Sequence, residues 1–186
     1  LVYYREVVKR KELTVHRFER VNRVVKTGEQ FVVETSKDTY ETPYVIIATG
    51  YYDHPNYLGL PGEELPKVLH YFKEGHPYFD TDVLVIGGKN SAVDAALELH
   101  KAGARVTCVY RGSDYSPSVK PWVLPDFAAL VRNGDIAMHF ETNVVAIEEH
   151  AVIIERDGEQ QRIANDFVFA MTGYHPDHEF IRQMGV

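Results

Sequence analysis

The sequence predicts an α/β fold, a three-layer domain around a parallel sheet, with strands and a meander of a second domain beside it. Three observations carry that expectation. Val83, Leu84, Val85 and Ile86 form an unbroken apolar run rich in β-branched residues, which suits a strand buried on both faces. Gly87 and Gly88 follow at once, and Ala92, Ala95, Ala96 and Leu99 then recur at i, i+3, i+4 and i+7, the spacing of a helix with one packed face. Finally, residues 7–24 and 130–147 echo each other. Each reads as a helix end, a short strand, a turn and the start of a meander.

Taken in order, residues 1–11 read as a helix end, with Leu1, Tyr4 and Val8 on one face and charges on the other. Leu13 to His16 is extended. Phe18 to Val25, Gln30 to Thr35 and Thr39 to Glu41 read as a three-stranded meander, turned by Thr27-Gly28 and Ser36-Lys37-Asp38. Tyr44 to Ala48 reads as a buried strand that ends at Thr49-Gly50. A loop with Pro55, Pro61-Gly62 and Pro66 leads to a short extended piece, Lys67 to His70, and then to an irregular aromatic stretch, Tyr71 to Phe79. A βαβ unit runs from Asp82 to Arg111, with Arg105 to Tyr110 as its second strand.

The next helix starts near Leu124 or Pro125, because proline is tolerated in a first helical turn and Asp126 suits the dipole there. Phe127, Leu130 and Val131 form its inward face, and Asn133-Gly134 closes it. Ile136 to Phe140 is a further strand. Val144 to Glu148, Val152 to Arg156 and Gln160 to Ile163 form the second meander, with Asp157-Gly158 as a hairpin turn. Phe167 to Ala170 is a last buried strand, ending at Thr172-Gly173, and His178 to Met184 reads as a short helix.

The chemistry of the strand–glycine–helix unit is that of a Rossmann-like dinucleotide site. Gly87 permits a tight turn, Ala92 lets helix and strand approach closely, and backbone N–H groups at Asn90, Ser91 and Ala92 face whatever lies above the strand end. The G-x-G-x-x-G/A pattern would place glycine at 89, where this chain has Lys89. A lysine narrows the approach of a phosphate to the backbone and brings an ammonium near it. The second strand ends Val109-Tyr110-Arg111, with no acid to accept from a ribose 2′-OH. Arg111 offers a planar fork to a 2′-phosphate, and Lys120 a second charge. The expected cofactor is therefore NADPH rather than NADH, with Asp114 the one dissenting neighbour.

Composition narrows the remaining classes. The chain has 186 residues, a formal net charge of −7, and 45% hydrophobic residues. A nucleic-acid partner would reward clustered Lys and Arg, and the one basic patch, Arg5 to Arg10, lies on a helix with a solvated face. No stretch approaches the ~20 apolar residues of a membrane span. A single cysteine, Cys108, leaves no internal disulfide and fits a reducing, cytoplasmic setting. It sits inside a strand and reads as structural. His70, His76, His175 and His178 make no metal set, so packing or solvent-facing roles are expected. Trp122 is expected to cover the sheet edge. No residue is assigned a catalytic role.

These residues resemble the flavoproteins of the thioredoxin reductase type, which carry two dinucleotide-binding domains. The match is closest to the branch of bacillithiol disulfide reductases, over Ala48 to Pro55, Tyr71 to Phe79, Ile86 to Asp94 and Tyr110 to Trp122. The resemblance implies crossover motifs at Thr49-Gly50 and Phe167 to Pro176. It divides the chain into a remnant of an FAD domain at 1–50, an NADPH domain at 51–170 and a return crossover at 171–186. It adds Thr49, Gly50, Thr172 and Gly173 to Gly87, Gly88, Lys89, Asn90, Ser91, Ala92, Arg111 and Lys120 as cofactor-binding residues.

By the same resemblance the intact enzyme passes hydride from NADPH to FAD, and electrons on to a low-molecular-weight or protein disulfide. The FAD fingerprint and closing strand are expected outside residues 1–186, which leaves this stretch alone inactive. Uncovered strand edges in the first half invite pairing with another chain, so a homo-oligomer is compatible with the sequence. A flavin monooxygenase-like enzyme, a ferredoxin–NADP reductase-like enzyme and a non-enzymatic nucleotide-binding module remain open alternatives at this stage.

Overall fold

A computed structural model describes residues 2–183. The chain forms two compact units, residues 1–51 with 176–186, and residues 52–175.

The first unit opens with α1 (Val2–Arg10), none of whose residues is buried. Of the apolar face expected there, Tyr4 is exposed, Val8 is half-buried, and Leu1 lies outside the described residues. Strands β1 (Val21–Thr27), β2 (Gln30–Thr35) and β3 (Thr39–Thr42) form an antiparallel sheet in that order. Gly28, at φ +63°, closes the first hairpin. The first strand starts three residues later than expected, because Phe18 takes a left-handed φ of +54° and points into solvent, 94% exposed.

A larger departure follows. Tyr44 to Ala48, expected as a buried strand, forms no strand, and Ile46 is 91% exposed. An apolar run becomes a strand only where a neighbour supplies its ladder of hydrogen bonds. No described residue forms a strand ladder with this run, or with Leu13 to His16.

The second unit holds a five-stranded parallel sheet. Its strands are β4 (Val68–Leu69), β5 (Asp82–Ile86), β6 (Arg105–Val109), β7 (Ile136–His139) and a strand reached later, β11 (Phe167–Ala170). Their spatial order is β4-β11-β5-β6-β7. Helix α2 (Asn90–Lys101) joins β5 to β6, and α3 (Leu124–Asn133) joins β6 to β7. A single 3₁₀ turn, His76–Tyr78, precedes β5.

Strand β5 shows why its sequence is apolar throughout. Val83 and Val85 pack with α2 and α3 on one face, among Ala92, Ala96, Leu99 and Phe127. Leu84 and Ile86 alternate to the other face, among Val144, Val152, Ile154 and Val168. That second face is covered by the antiparallel meander β8 (Asn143–Glu148), β9 (Ala151–Arg156) and β10 (Glu159–Ala164). Helices, sheet and meander are thus three layers. Fully burying each such Leu, Ile or Val stabilises the fold by about 1.5–3 kcal/mol.

Turn chemistry matches the sequence closely here. Asp157 and Gly158 both take positive φ, +53° and +81°, as a two-residue hairpin of the right twist demands. Gly134, at φ +84°, ends α3 in the left-handed conformation, with its N–H on the carbonyls of Leu130 and Val131. Trp122 does not cover the sheet edge. It is 75% exposed in the loop before α3. The last helix, α4 (His178–Gln183), belongs to the first unit, and the Asp177 carboxylate accepts the Phe180 N–H at 3.0 Å. Met184, expected within it, lies outside the described residues.

Candidate functional site

The candidate site lies at the carboxyl ends of β5, β6 and β11, where open α/β sheets place their ligands. Gly87 makes the convergence of three elements possible. It takes φ +135°, donates its N–H to the Val109 carbonyl at 3.0 Å, and leaves room for the Met171 carbonyl just past β11. A Cβ at Gly87 would lie 2.6 Å from that oxygen and 3.2 Å from the Ala92 Cβ. Ala92 is accordingly small and buried.

Lys89 is the residue before α2, exposed, with an extended backbone at φ −103° that any residue adopts. Its carbonyl accepts the first intrahelical bond, from the Val93 N–H at 3.1 Å. The N–H groups of Asn90, Ser91 and Ala92 precede that bond and carry the positive end of the helix dipole. Of the side chains here, Ser91 is exposed and Asn90 is committed elsewhere. Its amide nitrogen donates to the Ser118 carbonyl at 2.7 Å, and its oxygen accepts the Lys120 N–H at 2.9 Å. The Lys120 ammonium lies 3.0 Å from an Asp94 carboxylate oxygen. The structure therefore brings Lys120 to α2 and gives its charge a partner there. Arg111, one residue beyond Tyr110, is exposed.

Thr172 and Gly173 lie where the chain leaves β11. The Thr172 hydroxyl donates to the Asn56 carbonyl, and the Gly173 carbonyl accepts the Asn56 N–H at 2.9 Å. Pro55 bridges Tyr174, and the His175 N–H donates to His54 at 2.9 Å, so residues 54–56 and 173–175 run antiparallel. Thr49 and Gly50 are exposed residues of the first unit, with Gly50 at φ +75°.

Sequence reasoning missed several groups at this edge of the sheet. Tyr110 packs on both Gly88 and Gly112; an aromatic directly after a second strand, with glycine two residues on, was the available signal. Tyr52, Tyr71 and Tyr174 cluster, with ring centroids 4.3–5.5 Å apart. The Tyr174 hydroxyl donates to the His70 carbonyl at 2.8 Å, and burial above all, with the Tyr52 hydroxyl next, holds its proton more tightly than usual. His70 packs at the end of β4, its Nε2 3.8 Å from the Glu63 carboxylate. Cys108 is buried among the β6 core residues, and burial pushes its thiol up to about 12, so it stays protonated and inert. Among the described residues no cluster of three His, Cys, Asp or Glu side chains suits a metal ion.

A family model described as pyridine nucleotide-disulphide oxidoreductase matches residues 1–186. The chain belongs to the pyridine nucleotide-disulphide oxidoreductase family. That family is enzymatic, its members using a nicotinamide nucleotide and a flavin. Within it, the chain is 68% identical to the bacilliredoxin reductase Bdr of Bacillus subtilis over 189 residues, covering 100% of this chain and 58% of that protein. The solved bacillithiol disulfide reductase Bdr of Bacillus cereus superposes with a TM-score of 0.92 at 64% identity, over 100% of this chain and 59% of that one. The thioredoxin reductase of Lactococcus lactis superposes at 0.75 with 25% identity, over 89% of this chain and 56% of that one. The family and fold expected from the sequence are thus borne out. The chain spans 58% of the curated relative's length, so it corresponds to a little over half of a pyridine nucleotide-disulphide oxidoreductase of that size.

Proposed function

We propose that residues 52–175 form the NADPH-binding unit of a flavin-dependent disulfide reductase. The observation that carries the reading is the glycine turn, where Gly87 lets β5, α2 and β11 converge and the N–H groups of Asn90 to Ala92 precede the first intrahelical bond of α2. A dinucleotide diphosphate fits that cradle: it needs amide donors, a helix start and a close backbone approach. Arg111 supplies the fork for a 2′-phosphate, and the lack of an acid at the end of β6 removes the partner that NADH would use. Lys89 adds positive charge on the rim.

Bound there, NADPH supplies hydride to the flavin of the whole enzyme, which returns the electron pair to a disulfide. One disulfide, one NADPH and one proton give two thiols and NADP⁺. The names of the Bacillus relatives, a bacilliredoxin reductase and a bacillithiol disulfide reductase, support a low-molecular-weight or bacilliredoxin-linked disulfide as the acceptor. The crossover residues Thr49, Gly50, Thr172 and Gly173 belong to the cofactor-binding set on this reading.

Titrating the chain with NADPH and NADH tests the nucleotide assignment. NADPH is expected to bind more tightly. Changing Arg111 to Ala should weaken NADPH binding by about 1.5–3 kcal/mol, the scale of a hydrogen bond to a charged group, while sparing NADH. Equal losses for both nucleotides would overturn the assignment.

A further inference from the structure

Tyr110 is the first residue after β6, and its ring fills a slot bounded by two glycines. A Cβ on Gly88 would lie 2.4–2.5 Å from three carbons of that ring, and one on Gly112 would lie 2.4 Å from a fourth. Neither position could carry a side chain while the ring stays where it is. Gly88 is buried beneath it.

The backbone on either side is tied down as well. The Tyr110 N–H donates to the His139 carbonyl at 2.9 Å, and the Tyr110 carbonyl accepts the Thr142 N–H at 3.2 Å. The Gly112 carbonyl accepts the Glu141 N–H at 2.9 Å. Eight residues on, Asn90 at the start of α2 holds Ser118 and Lys120. Arg111 is therefore an exposed position between two anchored neighbours, and the loop that carries it is fastened at both ends to the glycine turn and the helix behind it.

The second glycine of the turn is at 88, and the missing side chain there is taken up by the protein's own aromatic ring.

We propose that Tyr110 is a positioning residue for discrimination between the two nicotinamide nucleotides. Its ring, seated on Gly88 and Gly112, registers the 2′-phosphate-reading residue Arg111 against the diphosphate turn, so that the two phosphate subsites are set as one rigid piece. The inference rests on the nucleotide reading above. It extends that reading to a residue that contributes by packing rather than by charge.

Binding measurements on the whole 186-residue chain test it, with NADPH, NADH and 2′,5′-ADP as probes. Tyr110→Phe keeps the flat ring and should keep NADPH affinity within about twofold. Tyr110→Leu removes it and should lower affinity for NADPH and 2′,5′-ADP by about tenfold, the loss of one well-placed charged hydrogen bond, with NADH changed far less. Gly112→Ala pushes on the ring without removing it and should reduce the same preference. It carries the test if Tyr110→Leu fails to fold.

An unchanged NADPH-to-NADH ratio in either folded variant overturns the positioning role. Equal loss for all three probes also overturns it, since general loosening would act on both nucleotides alike. Failure of the wild-type chain to bind NADPH and 2′,5′-ADP at all is a different result. It overturns the nucleotide reading itself, and this inference with it.

Discussion

Lys67 carries an ammonium into the interior of the second unit, where it is only 9% exposed. It donates to the Asn165 side-chain oxygen at 2.8 Å, the Asn165 carbonyl at 3.3 Å and the Ala151 carbonyl at 3.4 Å. These bonds tie the start of β4 to the first residue of β9 and the residue after β10. Burial favours the neutral amine and lowers its pKa below the ordinary 10.5, with Asp166 and Glu148 opposing the shift. Between the lowered folded value and the unfolded one, the unfolded chain binds more protons, so stability rises as pH climbs toward 10.5. Lys67→Met should lack that rise. At neutral pH it should also cost about 1–3 kcal/mol through the oxygen acceptors it strands. Urea unfolding of both proteins across the alkaline range checks this, and parallel pH curves would refute it.

Single residues were read unevenly, for a physical reason. Gly87, Ala92 and Cys108 were legible because their roles follow from position in one strand–turn–helix unit. The surroundings of Lys120, Tyr110 and Trp122 were not. The ammonium of Lys120 lies 3.0 Å from the carboxylate of Asp94, twenty-six residues away in sequence. A tyrosine without periodicity packs on glycines 22 residues before it and two after it. A tryptophan expected to cover the sheet lies in water. Spacing along the chain carries no record of such partners.

At the scale of elements, the coupling between α2 and the loop after β6 runs through Asn90. That side chain makes two hydrogen bonds across 28 and 30 residues. Asn90→Ala leaves the Ser118 carbonyl and the Lys120 N–H without it. The loss should be about 1–3 kcal/mol, and amide exchange at Ser118 to Lys120 should quicken before the core of the sheet is affected. Protection unchanged over those residues would show that the loop is held by other means.

The elements themselves divide into legible and illegible along the same line. The βαβ unit, α3 and the second meander fall within a residue or two of their expected ends, since each is encoded by local period and turn chemistry. Tyr44 to Ala48 has equally good strand composition and forms none, because a parallel strand exists only beside a neighbour.

For the molecule as a whole, the division into two units predicts where a protease will enter. Residues 43–51 are mostly exposed and lie in no helix or strand. Residues 52–175 enclose two apolar cores, one on each face of the parallel sheet. Limited proteolysis should cut first between Pro43 and Tyr51 and leave a resistant piece that contains the glycine turn. Early cleavage between β5 and β11 would contradict this division of stability. Mass spectrometry of the products identifies the sites directly.

The antiparallel course of residues 54–56 beside 173–175 has a practical corollary. The second unit begins and finishes at neighbouring points, His54 and His175 being joined through their main chains. A segment with adjacent ends is a cassette: it can be lodged in the hairpin of an unrelated host, or its ends fused and reopened elsewhere, with little distortion. The glycine turn and both apolar cores would travel with such a cassette.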